Sequence, residues 1–127
     1  GRLTLRHSRG GMRVIDDSYN ANPASLAAAI ALLARQSQER WLVFGDMGEL
    51  GACAPTAHRE VGESARRAGI ERLFGVGPQA RAAVDAFGAG ASWYADAPTA
   101  LAELQRLDGA DVTVLVKGSR YMQLDRI

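Results

Sequence analysis

The residues best suited to catalysis or ligand binding lie between a strand pattern and a helix pattern near the start of the chain. Val14 and Ile15 end the strand, and four polar residues follow closely, namely Asp16, Asp17, Asn20 and Asn22. Pro23 then opens an alanine-rich segment with apolar residues at helical spacing. Asn22 is a good N-cap and Pro23 a good first helical residue, because the N–H that proline lacks has no partner there. The free N–H groups and the dipole of such a helix start favour a carboxylate or a phosphate, so this stretch predicts an anion site.

A capped turn without a ligand is the plainer interpretation of the same stretch. It accounts for Asn22 and Pro23, but it leaves the adjacent carboxylates of Asp16 and Asp17 unexplained. Neighbouring like charges repel each other unless something binds them. The pattern therefore leaves a ligand site and a simple capped turn both open.

Polar residues also follow two later strand patterns. Asp46 and Glu49 come after one apolar strand, and Lys117, the only lysine of the chain, and Ser119 follow another. As paired carboxylates, Asp46 and Glu49 could bind a metal or act as a base, although a loop that bonds to its own backbone is the simpler interpretation. The plain alternative for Lys117 is a solvated strand end.

Two further side chains, a histidine and a cysteine, are of reactive types, but we predict no catalytic or binding role for them. His58 opens a predicted helix, where a histidine is usually exposed. Cys53 has no basic residue beside it to stabilise a thiolate, so we expect it to be inert.

Alternating strand and helix patterns must position these residues. The predicted strands cover residues 3–6, 13–15, 41–44, 72–76, 92–94 and 112–116. The predicted helices cover residues 23–37, a segment that Thr56 caps and Gly69 ends, residues 79–87, and a segment that Pro98 opens. This alternation predicts an α/β fold with a Rossmann-like, mainly parallel sheet, helices on both faces and an N-terminal β-hairpin. The most apolar strand, 112–116, is expected to be central.

In such sheets ligands bind beyond the carboxyl ends of the strands. The polar turns after Ile15, Phe44 and Val116 all follow predicted strands. We therefore expect these three turns to share one edge of the sheet.

Length and composition limit the possible classes. A chain of 127 residues is one domain with room for a core, and its 47% of hydrophobic residues include no run as long as a membrane span. The net charge of +1 gives no field that would attract nucleic acid or an acidic membrane, so neither is an expected partner. The single cysteine rules out an internal disulfide and fits a reducing compartment. A start at Gly-Arg-Leu without methionine suggests a domain cut from a longer protein.

One nucleotide-binding motif is formally present in the sequence and another is absent. Gly75-x-Gly77-x-x-Ala80, with Asp96 further on, formally satisfies a dinucleotide fingerprint. Pro78 argues against it, because it removes an N–H from the turn that should hold the pyrophosphate, and a tight turn before a helix is the simpler interpretation. The phosphate-loop pattern Gly-x-x-x-x-Gly-Lys-Ser/Thr does not occur in the sequence.

Several stretches together resemble the C-terminal domain of the Mur ligases. In chain order they are residues 1–3, 16–23, 43–51, 58–62 and 115–120. They occur in the order of the family from one end of the chain to the other. The run Asp-Asp-Ser-Tyr-Asn-Ala-Asn-Pro at 16–23 is most similar to the branch of the family that adds D-alanyl-D-alanine to UDP-N-acetylmuramoyl-tripeptide.

The resemblance implies a function in the synthesis of peptidoglycan precursors in the bacterial cytoplasm. Residues 1–127 would form the domain that binds the incoming dipeptide, while an N-terminal UDP-substrate domain and a central ATPase domain lie outside this chain. In the family the central domain binds ATP and Mg²⁺. ATP phosphorylates the carboxylate of the tripeptide to an acyl phosphate, which the amine of the dipeptide attacks, and closure of the C-terminal domain excludes water. The resemblance therefore implies that this domain is inactive alone, with no catalytic residue and no metal of its own.

The resemblance also implies roles for individual residues. Arg2 and Asp17 match an ATP-contacting pair, in which Arg2 would face the phosphates or the ribose and Asp17 would accept from ribose hydroxyls. The residues expected to bind the dipeptide are Tyr19, Asn20, Asn22, Lys117 and Ser119. Asn22 has capping as an alternative role, while Lys117 and Ser119 would hold the carboxylate of the dipeptide, which suits a cation and a hydroxyl. The chain departs from the family in its early end at Ile127 and in the bulk of Tyr121.

Two alternatives remain open on the sequence. One is another amide ligase of the same superfamily, such as a folylpolyglutamate synthase or a different Mur ligase. The other is a non-catalytic nucleotide-binding module, which a parent protein without an upstream phosphate loop would favour.

Overall fold

The computed structural model describes residues 3–17 and 21–118. Strands and helices alternate along them. The strands are β1 (Thr4–His7), β2 (Arg13–Asp17), β3 (Glu39–Gly45), β4 (Arg72–Val76), β5 (Ala91–Tyr94) and β6 (Val112–Lys117). The helices are α1 (Pro23–Ala34), α2 (Ala54–Arg67), α3 (Arg81–Phe87) and α4 (Ala97–Leu107), and a 3-10 turn (Gly51–Cys53) leads into α2.

The strands form one sheet in the order β1-β2-β6-β3-β4-β5. β1 pairs antiparallel with β2, and the other neighbouring strands pair in parallel. The predicted Rossmann-like, mainly parallel sheet with an N-terminal hairpin is therefore confirmed. β6 lies between β2 and β3, so the most apolar strand is central, as predicted.

Two apolar clusters cover the two faces of the sheet. One joins the sheet to α1, α2 and α3 and includes Val61 of α2, and the other joins it to α4 and includes Leu104. Side chains of a strand alternate between the faces, so Leu115 packs in the first cluster and Val116 in the second. Helices on both faces are therefore confirmed.

The bounds of all four helices differ from the prediction. α3 begins at Arg81 rather than at residue 79, and α4 begins at Ala97, one residue before Pro98. α1 begins at Pro23 as predicted but ends at Ala34, earlier than the predicted end at residue 37. α2 begins at Ala54, so the prediction that Thr56 caps this helix is wrong. Pro55 lies in the first turn, where the missing N–H of a proline costs nothing, and it therefore marks the start better than the threonine does.

Among the described residues, no helix has both the length and the apolar character needed to cross a membrane.

Candidate functional site

The carboxyl ends of the parallel strands form the edge at which the predicted site lies. Asp17 ends β2 and Lys117 ends β6, and Asn22 caps α1, which begins just after β2. The structure thus brings the ends of β2 and β6 together, as the fold class predicts. The remaining residues predicted for the site, which lie outside the described residues, are Arg2, Tyr19, Asn20 and Ser119.

Asp17 and Lys117 form an ion pair at this edge. The Nζ atom of Lys117 lies 3.0 Å from Oδ2 of Asp17, and the two residues are direct partners in the parallel pairing of β2 with β6. The side chain of Lys117 is only 5% exposed, whereas that of Asp17 is 16% exposed. The interpretation of Lys117 as a solvated strand end is therefore wrong. Its predicted contact with the carboxylate of the dipeptide stays a prediction.

Asp16 has a cationic partner of its own, the guanidinium group of Arg6. Its Oδ2 atom lies 3.8 Å from an Nη atom of Arg6 on the neighbouring strand β1. Side chains alternate along β2, so Asp16 and Asp17 leave the strand on opposite faces. The crowding of carboxylates that suggested a ligand is thus relieved within the protein, by Arg6 for Asp16 and by Lys117 for Asp17.

Asn22 acts as the N-cap of α1. Its Oδ1 atom accepts from the backbone N–H of Ser25 at 2.9 Å, and the hydroxyl of Ser25 accepts from the backbone N–H of Asn22 at 3.0 Å. This reciprocal capping box satisfies two donors at the start of the helix. The capping role predicted for Asn22 is confirmed, and its contact with the dipeptide stays a prediction.

Asp46 ties two turns of the carboxyl edge together. It follows β3, is buried, and accepts from the backbone N–H of Ala80, just before α3, at 2.8 Å. This contact joins the loop to the turn after β4, and the bonding of the two carboxylates to the backbone of their own loop stays a prediction. Glu49 is exposed, with a φ of 62°. The two carboxylates thus lie in different environments.

The contact of Asp46 also explains the glycine-rich turn after β4. The φ of Gly77 is +104°, and a Cβ atom there would lie 2.7 Å from Oδ1 of Asp46. The carbonyl of Gly77 accepts from the indole N–H of Trp93 at 2.7 Å. The N–H of Ala80, which the fingerprint would direct at a pyrophosphate, is already bonded to the carboxylate. These contacts agree with the simpler interpretation, a tight turn before a helix.

His58 differs most from its predicted environment. It is fully buried, its Nδ1 atom lies 2.7 Å from the carbonyl oxygen of Ala54, and its Nε2 atom accepts from the backbone N–H of Met47 at 3.0 Å. These partners require a neutral ring with the proton on Nδ1. The expectation of an exposed histidine is wrong. Its spacing from Ala54 and Val61, both on the buried face of α2, was the signal that could have revealed it.

A groove of about 480 Å³ runs between α1 and α2. Its floor includes the buried side chains of Leu26, Ile30 and Val61, and Pro23 lines it where α1 begins. The exposed thiol of Cys53 lies on its wall. The inertness expected of Cys53 stays a prediction.

The polar groups of the described edge form pairs rather than a metal centre. Within residues 3–17 and 21–118, no three His, Cys, Asp or Glu side chains are grouped as a metal ion would need. What the edge offers a ligand is the partly exposed carboxylate of Asp17, held by a buried cation. Such a carboxylate can accept hydrogen bonds from hydroxyl groups.

A protein-family comparison identifies the chain. The family described as "Mur ligase, glutamate ligase domain" matches residues 1–120. The chain belongs to the Mur ligase family. The resemblance carried by the sequence motifs is thereby confirmed.

Similar proteins of known name cover the whole chain. The UDP-N-acetylmuramoyl-tripeptide–D-alanyl-D-alanine ligase of Escherichia coli (strain K12) is 42% identical over 129 aligned residues, which span 100% of this chain and 28% of that relative. A crystal structure of MurF from Acinetobacter baumannii matches with a TM-score of 0.87 and 29% identity, over 98% of this chain and 29% of that one. The MurF ligase of Thermotoga maritima in complex with ADP matches with a TM-score of 0.82 and 26% identity, over 99% of this chain and 29% of that one. This Mur ligase domain thus spans less than a third of the length of these relatives.

Proposed function

We propose that the parent protein is an ATP-dependent ligase that joins D-alanyl-D-alanine to UDP-N-acetylmuramoyl-tripeptide, and that residues 1–127 are its dipeptide-binding domain. The observation that carries this proposal is the 42% identity, over the whole chain, to a ligase of that name. The UDP-substrate and ATPase domains would lie elsewhere in the parent. The reaction would take place in the cytoplasm, where it would supply the cell-wall synthesis on which cell shape and division depend.

Among the predicted site residues that the structure describes, Asp17 is the one suited to bind a nucleotide. Its carboxylate lies 3.0 Å from the Nζ atom of Lys117, and 16% of its side chain is exposed at the carboxyl edge. It would accept hydrogen bonds from the ribose hydroxyls of ATP, and Arg2 would contact the phosphates or the ribose. Because the sequence has no phosphate loop, the central domain would bind the triphosphate and Mg²⁺. ATP supplies the phosphoryl group that activates the carboxylate of the tripeptide.

The dipeptide would bind beside the start of α1. Tyr19 and Asn20, which lie between β2 and this helix in the sequence, and Ser119, which follows β6 in the sequence, would contribute to this site. The amide group of Asn22 would add a contact beyond the cap. Docking of this domain on the central domain would then exclude water from the acyl phosphate.

The test is an assay of the full-length parent protein. Phosphate release should require ATP, UDP-N-acetylmuramoyl-tripeptide and D-alanyl-D-alanine together. Mass spectrometry should detect the product, in which the dipeptide is joined to the tripeptide to give a UDP-linked pentapeptide. Glutamate with a folate, in place of the dipeptide and the UDP-tripeptide, is the matched control, because these are the substrates expected of a folylpolyglutamate synthase. Turnover with glutamate, or none with the dipeptide, would overturn the proposal.

A further inference from the structure

We propose that Lys117 is a positioning residue: it holds the Asp17 carboxylate in place for the nucleotide and does not itself contact a substrate. This inference rests on the proposed function, and it gives Lys117 a role different from the dipeptide contact that the sequence suggested. The observation behind it is the ion pair at the carboxyl edge between the buried Lys117 and the partly exposed Asp17.

The exposure of the two partners differs in the direction that the proposal requires. The ammonium group belongs to a side chain that is 5% exposed, and the carboxylate to one that is 16% exposed. A ligand arriving at this edge therefore meets the carboxylate of Asp17 before the ammonium group of Lys117. Hydroxyl groups of a ribose are donors that suit this carboxylate, whereas an arriving carboxylate would be repelled by it.

Charge balance points the same way. Asp17 and Lys117 lie 3.0 Å apart and together carry no net charge, so the pair does not attract an anion from a distance. To bind the carboxylate of a dipeptide, Lys117 would have to give up part of its contact with Asp17 while remaining largely out of solvent. A buried ammonium group that loses its partner is strongly unfavourable.

The sheet fixes both ends of the pair. Lys117 is the direct partner of Asp17 on β2 and of Phe44 on β3, so its backbone lies between two parallel neighbours. Leu115 and Ile15 lie two residues earlier on the same strands and pack in the cluster shared with α1. By strand alternation, Lys117 and Asp17 take that face too, at the end where α1 begins. The lysine is thus anchored where it can orient Asp17.

A double-mutant cycle in the full-length parent tests this role. The variants are Asp17→Asn, Lys117→Met and the double variant, and the readouts are the KM for each substrate and the equilibrium affinity for a non-hydrolysable ATP analogue. Lys117→Met should weaken nucleotide binding about tenfold and leave the KM for D-alanyl-D-alanine within about twofold. In the Asp17→Asn background the same change should weaken nucleotide binding by less than about twofold, because Lys117 acts through Asp17.

Arg6→Met is the matched control. It also removes a cation from an aspartate of β2, but its partner is Asp16, on the opposite face of the strand. It should leave the affinity for the ATP analogue unchanged. Thermal unfolding of each variant reports its folded fraction. If Lys117→Met does not fold, Lys117→Gln tests the same role: its amide can still donate to Asp17, so it should largely keep the nucleotide affinity, whereas loss of a charge that held the carboxylate of the dipeptide would raise the KM for D-alanyl-D-alanine.

Two results would overturn the inference. One is a Lys117 variant that raises the KM for D-alanyl-D-alanine more than the KM for ATP. The other is a full additive loss of nucleotide affinity in the double variant.

The binding assay distinguishes the role of Lys117 from the proposed function. A wild-type parent that binds the analogue but does not use the dipeptide refutes the proposed function alone. Equal nucleotide affinity of wild type and Lys117→Met refutes the role of Lys117 alone.

Discussion

At the scale of single residues, the side chain of His58 connects the loop that follows β3 to the start of α2. Its ring joins the backbone of Met47 in that loop to the carbonyl of Ala54 at the start of α2. Phe44 lies beside the ring, with 6.2 Å between the ring centroids. One neutral imidazole therefore satisfies one buried donor and one carbonyl acceptor, and it fixes where the loop leaves the sheet.

His58→Phe should destabilise the domain. Phenylalanine fills a similar volume but leaves the N–H of Met47 without its acceptor, which costs about 1–3 kcal/mol. Thermal unfolding followed by circular dichroism should show a midpoint lower by roughly 5–10 °C. Arg59→Ala is the control, because Arg59 is exposed on the same helix and its ion pair with Glu63, at 3.9 Å, is worth little. Equal midpoints for His58→Phe and wild type would show that the two hydrogen bonds contribute nothing net.

Asp108 performs a similar task at the opposite edge of the sheet. Its carboxylate accepts from the hydroxyl of Ser8 at 2.5 Å and from the backbone N–H of Gly10 at 2.9 Å, and so it joins the β1–β2 turn to the end of α4. The hydroxyl of Ser8, followed by nearby backbone N–H groups, holds the pKa of Asp108 below its usual range. A depressed carboxyl pKa in the folded state means that the ionised form stabilises the fold.

Asp108→Asn should therefore reduce stability in a pH-dependent way. The amide turns one acceptor into a donor, and loss of a hydrogen bond to a charged group costs about 1.5–3 kcal/mol at pH 7. The difference from wild type should shrink as the pH falls below about 4, because wild-type Asp108 then becomes protonated too as the pH passes its lower folded-state pKa. Urea unfolding at a series of pH values measures this, with exposed Asp111→Asn as the control for the same change of charge. A difference that stays constant down to pH 2 would contradict the role of the carboxylate.

Some residue-level features were predictable and others were not. The capping role of Asn22 followed from local sequence, because a cap depends only on the next three residues. The Asp17–Lys117 pair did not, because local periodicity shows where a strand ends but not which strand lies beside it. The pairing of β2 with β6 is decided by the packing of the whole sheet.

At the scale of elements, the contact between α2 and α3 depends on one glycine. A Cβ atom on Gly62 would lie 2.1 Å from the carbonyl oxygen of Ala83. Alanine in the middle of a helix normally stabilises it relative to glycine by about 1 kcal/mol. Here the backbone of α3 occupies the space, so the helix propensity is outweighed.

Gly62→Ala should accordingly destabilise the domain by about 1–3 kcal/mol, because the two helices must move apart. Gly48→Ala is a matched control: a Cβ atom there would meet no atom within 4 Å, so it should be tolerated. Denaturant unfolding gives both free energies. If Gly62→Ala is as stable as Gly48→Ala, the close approach of the helices does not limit stability.

At the scale of the whole molecule, the strand order places Asp17 and Lys117 side by side at the carboxyl edge of the sheet. β6 is the last strand of the chain, yet it inserts between β2 and β3. The fold class was predictable from the alternation of strands and helices, and so was the shared edge, because a parallel sheet with helices on both faces puts every strand-to-helix turn after β2 on one edge. The internal pairing of charges at that edge arises only from the assembled sheet.

The isolated chain should fold by itself and have no ligase or ATPase activity. Apolar clusters cover both faces of the sheet, so the core does not depend on another domain to bury it. The sequence has no phosphate loop, and at the carboxyl edge the charges of Asp17 and Lys117 neutralise each other.

Two measurements on the isolated chain test this prediction. Circular dichroism should show one cooperative unfolding transition, as expected of a single small domain. Mixing the chain with ATP, UDP-N-acetylmuramoyl-tripeptide and D-alanyl-D-alanine should release no phosphate above a protein-free blank, while the full-length parent assayed in parallel should. Phosphate release by the isolated chain would mean that its own residues suffice to bind and activate ATP, and the assignment of that step to the central domain would then be wrong.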